Sequence, residues 1–200
     1  MSVRTLFATP VYEGALGDAR LLEDLEQSCL MFAQEDRAGR AWSKAHTYRG
    51  YTSYASLGDL PQRDPAFGDL AKRLAKHVAA FAEACAFDLG GRKLRLDSLW
   101  VNVLKPGGMH SGHIHPHSVV SGTLYVAVPP GAGAIRFEDP RLPLMMAAPT
   151  RRDDAPEPLR SFAHVTPEPG TILLWESWLR HEVIAGTAKQ DRISISFNYS

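Results

Sequence analysis

Half of the eight histidines fall within eight residues, His110-Ser-Gly-His113-Ile-His115-Pro-His117. Imidazole nitrogen is a good ligand for iron, zinc, copper and nickel, so a cluster this dense points first to metal chemistry. On a strand, or just before one, His113 and His115 share a parity and present both rings on one face, which suits a single ion. His110 has the opposite parity and His117 lies beyond Pro116, so these two are expected behind the ligands or at the surface. An exposed loop with adventitious metal affinity would show the same cluster, and the far end of the chain weighs against it. There, Pro169-Gly170-Thr-Ile-Leu-Leu-Trp175-Glu-Ser-Trp-Leu-Arg-His181 sets a third histidine just after an apolar strand. The last strand, Arg192-Ile-Ser-Ile-Ser-Phe-Asn198, alternates cleanly. Ile193, Ile195 and Phe197 fall on one face, and Arg192, Ser194, Ser196 and Asn198 on the other. Arginine grips a carboxylate bidentately, and a serine hydroxyl two residues on can add a hydrogen bond. A sheet with one solvated face would also read this way.

The elements that must position these residues change character near residue 90. Before it, Leu21, Leu22, Leu25, Cys29, Phe32 and Ala33 recur at helical spacing after Asp18, an N-cap, with Gly39 as the expected stop. Asp64-Pro65 offers a second cap with proline at the first helical position. Phe67, Leu70, Leu74, Val78, Phe81 and Cys85 then trace one stripe that Gly90 closes. Each stripe is expected to pack on a sheet. After residue 90 the chain reads as short strands at 94–104, 119–128, 134–137, 162–166, 171–175, 182–185 and 192–198, punctuated by glycine and proline. That pattern predicts a mainly β sandwich or barrel, the double-sheet jelly roll included, with the N-terminal helices packed on its outer face. The whole of 1–200 reads as a single domain: a helical part to residue 90, a β core from 91, and an insertion at 140–170. The insertion holds seven of the fourteen prolines and is expected to be either a plain surface loop or a lid over a pocket. In such a barrel the histidine pair, His181 and Arg192 can converge on one interior pocket. That is the arrangement of a non-haem iron centre with a 2-oxo acid cosubstrate.

Composition excludes several other classes. With 200 residues, 44% apolar, the chain is long enough to bury a core without disulfide or structural metal. Its 22 basic and 22 acidic side chains cancel, which argues against a nucleic-acid or acidic-membrane partner. Cys29 and Cys85 are expected as small apolar side chains inside helices rather than a disulfide. No apolar run is long enough to span a bilayer, and residues 1–10 lack the apolar stretch of a signal peptide, so a cytoplasmic location is expected.

Several segments together resemble one family. Leu99-Trp-Val-Asn102, His113-Ile-His115-Pro-His-Ser118, Ser121-Gly-Thr-Leu-Tyr125-Val, Asp139-Pro-Arg141, Ser177-Trp-Leu-Arg-His181 and Arg192-Ile-Ser-Ile-Ser-Phe-Asn198, with the opening Leu6-Phe7-Ala-Thr-Pro10-Val-Tyr, are similar to the 2-oxoglutarate and iron(II)-dependent oxygenases of bacteria and phages. The resemblance implies a double-stranded β-helix core with helices bracing its outer face. It implies iron(II) bound by His113, His115 and His181, and 2-oxoglutarate held through its distal carboxylate by Arg192 with help from Ser194. Tyr125 and Asn102 stand where such enzymes place further cosubstrate or substrate contacts. The implied reaction is oxidative decarboxylation of 2-oxoglutarate with dioxygen, coupled to hydroxylation of a small-molecule or protein substrate. The wider superfamily has a carboxylate where His115 stands, so Glu138, Asp139 and Glu182 are candidates to reach the metal. Trp175-Glu176 replaces an expected phenylalanine and proline. Two other readings fit parts of the pattern. One is a cupin-like metalloprotein, which shares the barrel and gives Arg192 no necessary task. The other is a metal-dependent binding or sensing module without turnover.

Overall fold

Asp18 and Asp64 act as the sequence suggests, and each starts a helix by accepting a backbone N–H on its side chain. Asp18 Oδ1 accepts from Leu21 N at 3.0 Å, and Asp64 Oδ1 from Ala66 N at 2.8 Å, satisfying donors that the helix cannot pair internally. The computed structural model describes residues 2–166 and 168–200; Met1 of the N-terminal segment and Pro167 of the 140–170 insertion lie outside the described residues. Strand β1 is Val11–Ala15 and helix α1 is Ala19–Glu35. Gly39 does not end the first helical run. Asp36 breaks it and caps a second helix, α2 (Arg37–Ala45), through Gly39 N at 2.9 Å. Strand β2 (Gly50–Thr52), a single turn α3 (Leu60–Arg63) and the long α4 (Pro65–Ala84) complete the first half. Gly90 is not the terminator of α4 either. Cys85 caps the helix, and Ala86 takes the left-handed backbone conformation that ends it, at φ 54°.

The second half is strand-rich: β3 (Leu96–Leu104), β4 (His110–His113), β5 (Val120–Ala127), β6 (Ile135–Glu138), β7 (Phe162–Val165), β8 (Thr171–Glu176), β9 (His181–Val183) and β10 (Arg192–Tyr199). These strands, with β1 and β2, form two antiparallel sheets. The six-stranded sheet runs β1-β8-β5-β10-β3-β2 and the four-stranded one β4-β9-β6-β7. This is the mainly β, double-sheet architecture expected, with one helical layer added.

Strict alternation along the central strands divides the interior into two. Leu99, Val101, Val103, Val120, Leu124, Ile193, Ile195 and Phe197 point outward and pack with Leu21, Leu25, Cys29, Phe67, Leu70 and Leu74 of α1 and α4. Thus the helical stripes do cover a sheet. Between the two sheets lies a second, smaller cluster: Tyr125, Leu173 and Trp175 from the large sheet against Ile135 and Phe137 of β6, with Leu179. The opposite faces of β3, β5 and β10 carry the polar residues discussed below. Gly122 shows how tight the outer interface is. A Cβ there would lie 2.5 Å from the Phe197 ring and 2.6 Å from Leu174. Gly122→Ala is therefore expected to destabilise by about 1–3 kcal/mol, read as a melting temperature lower by several degrees.

The 140–170 insertion carries two short 3-10 turns, Leu142–Leu144 and Glu157–Leu159. With the N-terminal segment it lines a cavity of about 400 Å³ that includes Phe7, Arg141, Glu157 and Arg160. Cys29 is buried, Cys85 is half-buried, and both are free thiols. Among the described residues no helix is long and apolar enough to cross a membrane.

Candidate metal and carboxylate site

The polar face of β10 is not solvated. It floors a cavity of about 720 Å³ between the two sheets, where Arg192, Ser194, Ser196 and Asn198 all line the wall. Register places Ser194 opposite Asn102 of β3 and Tyr125 of β5, so all four cosubstrate residues suggested by the sequence share one surface. Arg192 is only 4% exposed, and its guanidinium lies over the Tyr125 ring at 5.0 Å. Its Nε and Nη1 are buried without a hydrogen-bond partner, as is the Tyr125 hydroxyl. An unpaired buried cation is costly, and such groups are normally paired or hydrogen-bonded. An anion against this guanidinium would supply the missing partner. Asn102 instead contacts protein, donating to Ser196 Oγ at 3.1 Å.

The three histidines close the same cavity from the smaller sheet. His113 of β4 pairs directly with His181 of β9, and the chain past β4 returns His115 to them. One ring nitrogen from each lies within 4.8 Å of the others. Nδ1 of His113 is 2.7 Å from the Ser111 carbonyl, and Nδ1 of His181 is 2.9 Å from that of Leu179. A carbonyl only accepts, so both rings carry their proton on Nδ1 and leave Nε2 free for a metal. His115 has a longer contact, 3.5 Å, with the Asn198 amide. Burial, together with the neighbouring His113, depresses His181 to about 3 and His115 to about 4, so both rings are neutral and able to ligate.

The flanking histidines separate. His117 is exposed, while His110 turns into the cavity and shares a 2.7 Å hydrogen bond with Tyr48 through Nε2. Tyr48 also donates to Asn102 Oδ1 at 3.4 Å. Burial first, then Arg192 and His113, hold His110 at about 3. Tyr48 is a site residue that the sequence did not reveal, since it sits in the helical half and joins the site only by folding.

These depressed values fix the sign of a pH effect. Unfolded histidine takes a proton near pH 6.5, whereas folded His110, His115 and His181 take theirs only near 3 to 4. Above pH 6.5 neither state is penalised. Below it the unfolded state binds more protons, so stability falls progressively until about pH 3. Melting curves of the metal-free protein should shift down steadily between pH 6.5 and 4.

The family model described as "putative 2OG-Fe(II) oxygenase" matches residues 98–198, half of the chain, from within β3 to within β10. The chain belongs to this family. No curated protein matches the sequence. Among solved structures, this oxygenase is similar to a prolyl-4-hydroxylase from Pseudomonas putida, at 18% identity and TM-score 0.65, covering 96% of this chain and 92% of that one. It is also similar to EctD from S. alaskensis, at 14% and 0.67, covering 96% and 72%. HygX from Streptomyces hygroscopicus, solved with nickel and 2-oxoglutarate bound, aligns at 15% and 0.62, covering 96% and 83%. At these identities the likeness is one of fold, the double-stranded β-helix.

Within the oxygenase, the acids near the histidines are engaged elsewhere. Glu182 pairs with Arg136, Glu138 with Arg180 at 3.2 Å, and Asp139 with Arg141 at 2.8 Å. Among the described residues, the group able to hold a metal consists of the three histidines alone. The 140–170 insertion contributes nothing to the wall of this oxygenase's cavity among the described residues.

Proposed function

We propose that this oxygenase binds Fe(II) through His113, His115 and His181 and 2-oxoglutarate through Arg192 and Ser194, and hydroxylates a small-molecule or protein substrate. One observation carries the reading. A buried guanidinium with unsatisfied donors opens into the same cavity as three converging neutral imidazoles. The donor set fits, because imidazole suits iron(II) and three ligands leave positions open. Iron(II) and 2-oxoglutarate bound there supply dioxygen activation through oxidative decarboxylation to succinate and carbon dioxide.

The chain's own residues do the rest. The Ser111 and Leu179 carbonyls hold two imidazoles in the ligating tautomer. Arg192, stacked on Tyr125, fixes the distal carboxylate by charge-assisted hydrogen bonds, which are strong in a dry cavity. Ser194 adds a hydroxyl on the same strand face. Ile135, Val183, Trp100 and Trp175 line the cavity with apolar surface that excludes bulk water. Trp42, half-buried, and Tyr54, 61% exposed, form its rim, and substrate enters past them.

The test is an anaerobic titration of metal-free protein with Fe(II), then 2-oxoglutarate. A weak visible metal-to-ligand charge-transfer band is expected only after both additions. Tight metal binding with no band would overturn the reading in favour of a cupin-like or binding protein.

A further inference from the structure

Trp175 is 3% exposed, and its indole Nε1–H is buried without an acceptor. Among the described residues, the other cavity-lining residues with an unpaired buried side-chain atom are Tyr125 and Arg192. Trp175 lies at the histidine end. Its ring packs edge-to-face on His181, with centroids 4.6 Å apart at 63°, and on Phe137 at 5.3 Å. A phenylalanine would make both contacts without leaving a donor stranded, so packing alone does not explain the indole. Burying an N–H with no partner costs about 1–3 kcal/mol, and a ligand that brings an acceptor to it would recover that cost.

The chemistry of the cosubstrate identifies the acceptor. A 2-oxo acid that chelates a metal through its keto group and one oxygen of its head carboxylate keeps the second carboxylate oxygen free. The distal carboxylate is already matched by Arg192 at the far part of the cavity floor. We propose that Trp175 Nε1–H donates a hydrogen bond to the head carboxylate of the 2-oxo acid. This rests on the function proposed above. Trp175 thereby orients the chelating end of the cosubstrate as Arg192 anchors the other, and it gives the site a preference for oxo acids with a charged head.

Calorimetric titration of Ni(II)-loaded wild type and W175F tests this without turnover. Two ligands are compared: 2-oxoglutarate, and pyruvate at millimolar concentration, which has the oxo-acid head and no distal carboxylate. W175F is expected to weaken both by the same factor, about tenfold or more, the size of one hydrogen bond to a charged group. Ni(II) affinity should be unchanged. Equal affinities in the two proteins would overturn the assignment. So would a loss confined to 2-oxoglutarate, which would move the donor to the distal end. Loss of Ni(II) affinity would show that the ring merely supports His181. If wild type itself takes up no 2-oxoglutarate, the function proposed above fails, and this assignment with it.

Discussion

Arg192→Met is expected to abolish 2-oxoglutarate binding and, at the same time, to raise the melting temperature of the ligand-free protein. The two effects have one cause. The guanidinium is buried with Nε and Nη1 unpaired, so the empty protein bears the cost of a desolvated charge that only an anion can offset. Methionine fills a similar volume over Tyr125 with no polar group to satisfy. Removing the unpaired donors should stabilise by about 1–3 kcal/mol, or several degrees for a chain of this size. Loss of the carboxylate partner should weaken 2-oxoglutarate by at least about a hundredfold, since charge-assisted hydrogen bonds are worth roughly twice neutral ones. Wild type, in turn, should gain stability from 2-oxoglutarate with the logarithm of its concentration over Kd, and the variant should not. A variant that melts lower and still binds 2-oxoglutarate would show that Arg192 is a structural residue.

His181→Ala should remove metal binding. With no carboxylate in the cluster, each imidazole is a third of the donor set. Its loss should cost more than the ten- to hundredfold typical of altering the groups behind a ligand. Glu182→Gln is the matched control. Glu182 adjoins His181 in sequence and is paired with Arg136, so its substitution should leave Ni(II) or Co(II) affinity unchanged. If E182Q weakens metal as much as H181A, a carboxylate does reach the ion and the three-histidine reading is wrong.

What could be read before folding, and what could not, follows from the range of each signal. The alternation in Arg192–Tyr199 is local, and it reported which side chains face the cavity. Whether that face was wet or dry depended on a second sheet, assembled from β4, β9, β6 and β7, which the pattern within one strand does not report. His113 and His181 were legible as ligands by type, yet their meeting is a register fact, the direct pairing of β4 with β9. Tyr48 left no trace, because a tyrosine between α2 and β2 has no periodic or motif context, and its link to His110 spans the fold. Gly39 misled for a physical reason. Glycine often follows a helix, but here Asp36 three residues earlier offered a stronger start than Gly39 offered a stop. The three candidate acids were correct in proximity and wrong in availability, since Arg136 of β6, Arg180 just before β9 and Arg141 two residues from Asp139 hold them.

The two-sidedness of β10 also has a genetic consequence. Ile193, Ile195 and Phe197 belong to the packed core, while Arg192, Ser194, Ser196 and Asn198 line the cavity. A saturation library across this strand, sorted once for cellular abundance and once for ligand retention, should give two profiles with a two-residue period and opposite phase. Drift that retunes the ligand can then proceed at every second codon without eroding the fold. A single-residue insertion would exchange the two sets and lose both properties at once.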